Sequence, residues 1–281
     1  MTPTVNTVLI IGATSGIGEA FARKFHAAGK KVIVTGRRTA RLQQLKEELA
    51  GLETVEWDVS DLKALPSRVA EILNAYPTLD TVFINAGIQR CFSLLESPAP
   101  TAPEPNDQNL FVDEIQVNLT APILLTRAFL PHLLARAAAS QPAALLVTSS
   151  SLAFHPLPFY PVYCATKAAV HAFIVSLREQ LGFAPANIKQ ALSVVEVVPP
   201  YTDTALDAAS RAHTVAMQGG PEKAFAPMPL GEYIEAAWAK LETPTADGKL
   251  PKEVGVGFGE MGVNQWRESF GANLAGMGFD V

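Results

Sequence analysis

Thr7-Val8-Leu9-Ile10-Ile11-Gly12-Ala13-Thr14-Ser15-Gly16-Ile17-Gly18 is the stretch that decides the fold. Its first five residues are apolar or β-branched without polar alternation, which is how a strand buried on both faces is written. The run passes straight into three glycines. Beyond them Ile17, Phe21 and Phe25 fall on one helical stripe, and Gly29 supplies a stop. Val32-Ile33-Val34-Thr35 is then a second buried strand. Strand, glycine turn, helix and strand within roughly thirty residues make a βαβ unit. Glycines in that turn let the backbone approach a pyrophosphate, whose charge rests at the helix N-terminus. A tight connecting turn accounts for one such glycine but not for three followed by a helix.

The end of the second strand addresses which dinucleotide. A site for NAD carries an acidic residue there for the adenosine ribose. This chain has Thr35-Gly36-Arg37-Arg38 instead. Two guanidiniums suit the 2′-phosphate of NADP through charge-assisted hydrogen bonds. The other reading is a solvated flank of the next helix, with Thr39 as its cap. Arginines at a helix start oppose the macrodipole, however, and that favours a phosphate partner.

The alternation continues. Leu42, Leu45 and Leu49 mark a helix, and Thr54-Val55-Glu56-Trp57-Asp58 a third strand. Ser60 or Asp61 caps a helix carrying Leu62, Leu65, Val69 and Ile72. Thr81-Val82-Phe83-Ile84 is a fourth strand, ending in Asn85-Ala86-Gly87. Asp58 and Asn85 fall at carboxyl ends of strands, where ligands bind open parallel sheets, although either can simply close a turn. Residues 93–109, with Pro98, Pro100, Pro103 and Pro105, read as a loop. Phe111 to Ala139 reads as helix, with Pro122 and Pro131 demanding a break. Asn118 inside it either holds water on a proton path or caps the backbone locally. Ala144 to Thr148 and Ser193 to Val198 are further strands. Residues 201–228 carry no clean period and read as a mobile flap over a site. Leu230, Ile234, Ala237 and Leu241 form one more helix, Val254 to Phe258 a last strand, and the glycine-rich tail, 255–281, is partly helical. No internal repeat or linker marks a second domain, so the expectation is one doubly wound α/β domain over 1–281.

The fifth strand delivers Ser149-Ser150-Ser151, and Tyr163 and Lys167 follow at helical i, i+4 spacing. A free phenol, with a pKa of about 10, is a poor acid or base near neutrality. An ammonium beside it favours the phenolate and lowers that pKa. A hydroxyl from Ser150 can hold a carbonyl oxygen beside the phenol. Tyr-x-x-x-Lys also occurs on ordinary helices with a snorkelling lysine, so the motif gains weight only from its context.

Composition bounds the rest. Of 281 residues, 48% are hydrophobic and 17% charged, an ordinary globular core. The net charge of −5 and a basic group no larger than Arg37, Arg38 and Arg41 argue against nucleic acid. No apolar run reads as a membrane span, and no signal-peptide pattern opens the sequence. Cys91 and Cys164 give neither a disulfide framework nor metal-ligand spacing, so no metal and a cytoplasmic setting are expected. His155 and His213 tempt as second acids, but lone histidines near a site are more often structural.

Together these pieces resemble the short-chain dehydrogenase/reductase family over roughly residues 5–205. The pattern is GATSGIG at 12–18, Asp58, NAG at 85–87, Asn118, Ser150 and YxxxK at 163–167. The family's serine-to-tyrosine spacing selects Ser150 over Ser149 and Ser151, and PPYTDT at 199–204 is similar to its PGxxxT cofactor segment. Residues 147–171 resemble the branch found with bacterial lipoteichoic-acid D-alanylation operons. Ile11 replaces a common threonine, and Pro200 the usual glycine. The resemblance implies Tyr163 as acid/base, Lys167 on the nicotinamide ribose, Ser150 on the substrate oxygen and Asn118 supporting a water relay. It implies a cofactor held by Gly12, Thr14, Ser15, Gly16, Ile17, Gly18, Asp58, Val59, Asn85, Ala86, Gly87, Pro199, Thr202 and Thr204, with Arg37 and Arg38 on the phosphate. It also implies a homodimer or homotetramer.

The expected function is NADP(H)-dependent hydride transfer between a carbonyl and an alcohol, with an apolar pocket from Leu152, Phe154, Phe159, Tyr160, Tyr201 and Leu206, though several of these also read as plain core. A cofactor-reading sensor without turnover, and an isomerase or cyclase acting on a carbonyl, are the competing classes.

Overall fold

Residues 5–95 and 107–279 are described by a computed structural model of the chain. Seven strands form one parallel sheet in the order β3-β2-β1-β4-β5-β6-β7. They are β1 (Thr7–Ile11), β2 (Lys31–Gly36), β3 (Glu53–Glu56), β4 (Thr81–Ile84), β5 (Ala143–Thr148), β6 (Leu192–Val198) and β7 (Glu253–Gly255). The helices between them are α1 (Gly16–Ala27), α2 (Thr39–Glu48), α3 (Leu65–Ala75), α4 (Asp107–Ile115), α5 (Ala121–Ala138), α6 (Pro161–Gly182), α7 (Ala186–Ala191), α8 (Arg211–Met217) and α9 (Leu230–Glu242), and α10 (Phe258–Trp266) and α11 (Ala272–Gly276) follow the last strand. This is the expected doubly wound, single-domain architecture.

The period-2 geometry of a strand sorts the core into two layers. Val8, Ile10, Val32, Val34 and Phe83 face one side, where Phe21 and Phe25 of α1 and Tyr233 and Trp238 of α9 cover them. Leu9, Ile11, Ile33, Val82 and Ile84 face the other, beneath Leu125 and Phe129 of α5 and Val170 and Ile174 of α6. Phe21 meets Phe83 edge-on at 5.3 Å, which locks the glycine-turn helix to the centre of the sheet. The chain order reverses between β1 and β4, and a crevice opens there beyond the carboxyl ends of the strands.

Several boundaries differ from the sequence reading. The third strand stops at Glu56, and the last at Gly255, with Phe258 already helical. The helix expected from Ser60 or Asp61 begins at Leu65, and Asp61 instead accepts from the Ala64 N–H at 3.2 Å in the turn before it. Thr39 is not a cap but the first residue of α2, and Arg38, at the position before it, makes no side-chain capping bond. The segment 201–228 contains α8 and is tied down by a bridge between Thr202 and Met228. Of the expected loop 93–109, residues 96–106 lie outside the described residues, and α4 has begun by Asp107.

Between α4 and α5 the chain makes a π turn, Gln116–Thr120, in which the Ala121 N–H reaches the Gln116 carbonyl. Pro122 has no N–H to return four residues back, so the ladder must change register here. Taken together, Asn109–Ala138 is long and apolar enough to cross a membrane, contrary to the sequence reading. Leu125, Phe129 and Leu133 are nevertheless buried against the sheet, as in a core helix.

Candidate active site

Close packing shapes the glycine turn. Gly12 has φ +87°, and a β-carbon there would lie 2.5 Å from the Ala86 Cα. Gly18 needs no unusual backbone, yet its β-carbon would lie 2.2 Å from the Gly12 carbonyl oxygen and 2.6 Å from Asn85 Nδ2. Asn85 is a strut: its Nδ2 donates to the Gly12 carbonyl at 3.0 Å, and its Oδ1 accepts from Thr148 Oγ1 at 3.0 Å. That ties β1, β4 and β5 together at the rim. Above them runs a cleft of about 950 Å³, near the upper end of ligand-site volumes.

Gly12, Thr14, Ser15, Gly16, Ile17, Arg37, Arg38, Asp58, Val59, Asn85, Ala86, Gly87, Pro199, Thr202 and Thr204 all line this cleft. Gly18 does not; it sits just beneath the turn. At one end Arg38 folds back on the turn, donating to Thr14 Oγ1 at 2.9 Å and to Ser15 Oγ. Arg37 is exposed and lies 3.8 Å from Asp58, whose other oxygen closes a turn onto the Ser60 N–H at 2.9 Å. Arg41 is not available there, being held by Glu19 and Glu48.

At the other end Ser150, Tyr163 and Lys167 converge on the cleft. Tyr163 and Lys167 occupy successive turns of α6, with the Lys167 Nζ 5.5 Å from the phenol ring centre. Lys167 donates to the Thr148 carbonyl at 2.9 Å. Ser150 caps the short turn Ser151–Ala153, its Oγ accepting from the Leu152 N–H at 3.1 Å. Asn118 is fully buried beneath the cleft: its Oδ1 accepts from the Ile88 N–H at 2.9 Å, and its Nδ2 donates to the Ile88 carbonyl at 2.8 Å.

The protonation of this end departs from the sequence expectation. Burial pushes the Tyr163 phenol up, outweighing the lowering effect of a hydrogen bond from Ser150. Lys167 does not pull it down, because its ammonium is aimed at Thr148 and is itself pushed down by burial, to about 8. Both groups are driven toward their neutral forms.

Sequence reasoning missed Glu114, one turn before Asn118. It is completely buried; its Oε1 accepts from the Arg90 N–H at 3.1 Å, and burial pushes it up to about 7. An acidic residue on the apolar face next to Asn118 was the available signal. A carboxyl raised above its ordinary 4.5 stabilises the fold at low pH and loses that contribution as pH rises through the folded value. Glu114→Gln is therefore expected to leave stability unchanged below about pH 4 and to raise it at pH 8, by up to about 3 kcal/mol. Melting curves of parent and variant across that range test this.

The lid side was also illegible. Asp207 accepts from Tyr201 Oη at 2.7 Å and from Arg211, fastening residues 201–211 over the cleft. Leu152, Phe159, Tyr160, Tyr201 and Leu206 line the cavity as expected, but Phe154 does not. Phe154 stacks edge-on to His171 at 4.7 Å, and Trp266 from the tail takes the other side of that ring at 4.7 Å. His171 Nδ1 is paired with Glu196 at 2.8 Å. Gly257 and Phe258 complete the cleft wall. His155 lines the cleft and pairs with Gln265 at 2.8 Å, whereas His213 is exposed on α8, away from it.

The family described as short chain dehydrogenase matches residues 6–214. The chain is 39% identical over 214 residues to the uncharacterized oxidoreductase DltE of Bacillus subtilis, covering 75% of this chain and 77% of that one. A serine dehydrogenase solved in closed form with NADP+ superposes with a TM-score of 0.68 at 27% identity, covering 85% of this chain and 90% of that chain. A 3-ketoacyl-(acyl-carrier-protein) reductase of Brucella melitensis, solved with NADH, gives a TM-score of 0.68 at 26% identity over 89% and 97%. Its structural relatives thus include complexes with both forms of the dinucleotide.

Proposed function

This chain belongs to the short-chain dehydrogenase family of nicotinamide-dependent oxidoreductases, and from that premise we propose an NADP(H)-dependent reductase of an apolar ketone or aldehyde. The observation that carries the reading is the convergence of Ser150, Tyr163 and Lys167 at the inner end of a cleft that starts at a glycine turn and two arginines. The cleft's length, its close-packed glycines and its arginines fit a dinucleotide. NADP(H), when bound there, supplies or accepts the hydride.

Tyr163 donates its phenolic proton to the substrate oxygen during reduction and takes it back during oxidation. The Ser150 hydroxyl holds that oxygen beside the phenol. Lys167, fixed by its bond to the Thr148 carbonyl, faces the nicotinamide ribose. Asn118, fastened to Ile88 by both ends of its amide, steadies the π turn from which a water relay to Lys167 starts. Residues 201–228 act as the substrate flap, and Leu152, Phe159, Tyr160 and Leu206 give the pocket its apolar character. In this reading the enzyme works in the cytoplasm as a homodimer or homotetramer.

Phosphate recognition is assigned to Arg37 and Arg38, with Arg38 moving off Thr14 and Ser15 onto the ligand. Replacing both by alanine is expected to weaken NADPH by about 2–3 kcal/mol, as loss of charged hydrogen bonds does, and to leave NADH nearly unchanged. Titrations with the two cofactors test the assignment, and equal losses would sink it.

A further inference from the structure

Four carboxyl groups among the described residues are buried. Two are partnered through both oxygens, and a third is ion-paired through one. Asp80 accepts from the N–H groups of Asn6 and Thr7 and from the Thr81 hydroxyl. Asp207 holds Tyr201 and Arg211. Glu196 pairs through Oε2 with His171 and feels Arg178, while its Oε1 is buried without a hydrogen-bond partner. Glu114 differs in having no side-chain partner: one oxygen accepts a single backbone N–H, and Oε2 is buried with no hydrogen-bond partner. A bare buried carboxyl oxygen is costly and calls for an explanation.

Its surroundings supply one. Glu114 and Asn118 stand one turn apart and grip alternate residues, Arg90 and Ile88, of the segment leaving β4. A β-carbon on Gly87, the residue before Ile88, would lie 3.4 Å from Asn118 Oδ1 and 3.8 Å from Lys167 Nζ, so the segment held by this grip passes close to the lysine. The titratable and charged groups that face Glu114 are Arg90 from that segment and Tyr163, Cys164 and Lys167 from α6. Asp113, next to it on α4, draws the Arg90 guanidinium outward at 4.0 Å. Lys167 is faced by two carboxyls, Glu114 and Glu196. Glu196 is already compensated by His171 and Arg178, which leaves Glu114 as the partner with charge to spare.

We infer that Glu114 is a positioning residue of the proposed reaction, its unpartnered oxygen holding the Lys167 ammonium charged beneath the ribose and phenol. It touches neither substrate nor cofactor and acts through Lys167. The inference rests on the reading of Lys167 as the ribose-facing lysine. Burial alone drives Lys167 toward neutrality, and Glu114 is the largest opposing influence upon it. The carboxyl therefore widens the pH range over which the site keeps its positive charge. Glutamine retains an acceptor for the Arg90 N–H and removes only the charge, so a purely structural clamp and an electrostatic one predict different results.

The test is NADPH affinity, read by cofactor fluorescence between pH 6 and 9.5, for the parent, Glu114→Gln and Lys167→Met. Parent affinity is expected to fall as pH rises through the Lys167 ionisation, near 8. That break should be absent from Lys167→Met. Glu114→Gln should move it down by about one pH unit, weakening NADPH several-fold, up to about tenfold, at pH 8 and leaving affinity at pH 6 unchanged. Coincident breaks in parent and Glu114→Gln overturn the inference and leave the oxidoreductase reading standing. A parent that binds neither NADPH nor NADH overturns both.

Discussion

Tyr163→Phe is expected to lower carbonyl turnover by about 10²–10⁴-fold, the usual worth of a positioned proton donor. The change removes one hydroxyl and little else. Tyr163 is buried in a small cluster with Phe159, Tyr160 and Cys164, and phenylalanine fills the same ring volume there. NADPH binding and melting temperature should therefore stay close to the parent's, and the loss should appear in kcat. The measurement is NADPH consumption across a panel of ketones and aldehydes with parent and variant side by side. Turnover that survives the substitution removes Tyr163 from the chemistry. NADPH binding without consumption by either protein would move a cofactor-reading sensor or a non-redox activity ahead of the reductase.

The second large effect is steric. Gly18→Ala should destabilise the protein by about 1–3 kcal/mol, the common cost of forcing a carbon into a packed site. It should also weaken the dinucleotide by at least about tenfold. Gly18 lies in the first turn of α1, where the backbone conformation suits alanine. The obstacle is the Gly12 carbonyl oxygen at 2.2 Å, with Asn85 Nδ2 at 2.6 Å behind it. Neither is the movable tip of a long side chain. Gly182→Ala is the control, since a β-carbon there meets nothing within 4 Å. Thermal melts and cofactor titration of both variants decide the matter; a Gly18→Ala protein matching the control in both would mean that the turn has slack.

How much was legible follows from how locally each feature is encoded. β1 and β4 were read to the residue because both faces of each are buried, and an unbroken apolar run has no other use at that length. The ends of β3 and β7 were overrun, since Trp57 and Phe258 look like strand residues but pack from a turn and a helix. Ser150, Tyr163 and Lys167 were found by spacing. Phe154 was misplaced because its partners, His171 and Trp266, are remote in sequence. The direction in which the Tyr163 phenol is pushed depends on burial, which no motif records. Glu114 escaped for the same reason: a charged letter between apolar ones says nothing of a bare buried oxygen.

The packing of the tail has a consequence for the order of events in a cell. The ring that backs the serine turn through Phe154 is braced by Trp266, and Phe258 walls the cleft. Arg178 of α6 and Arg267 of the tail grip the same carboxylate, Glu253. Residues 253–267 leave the ribosome only after all the elements of the dinucleotide half. The dinucleotide half can assemble while translation continues, but the wall beside the proton donor has to wait for residues 253–267 to emerge. A chain stopped before residue 253 would therefore carry the glycine turn and the Ser150, Tyr163 and Lys167 set without the wall that braces them.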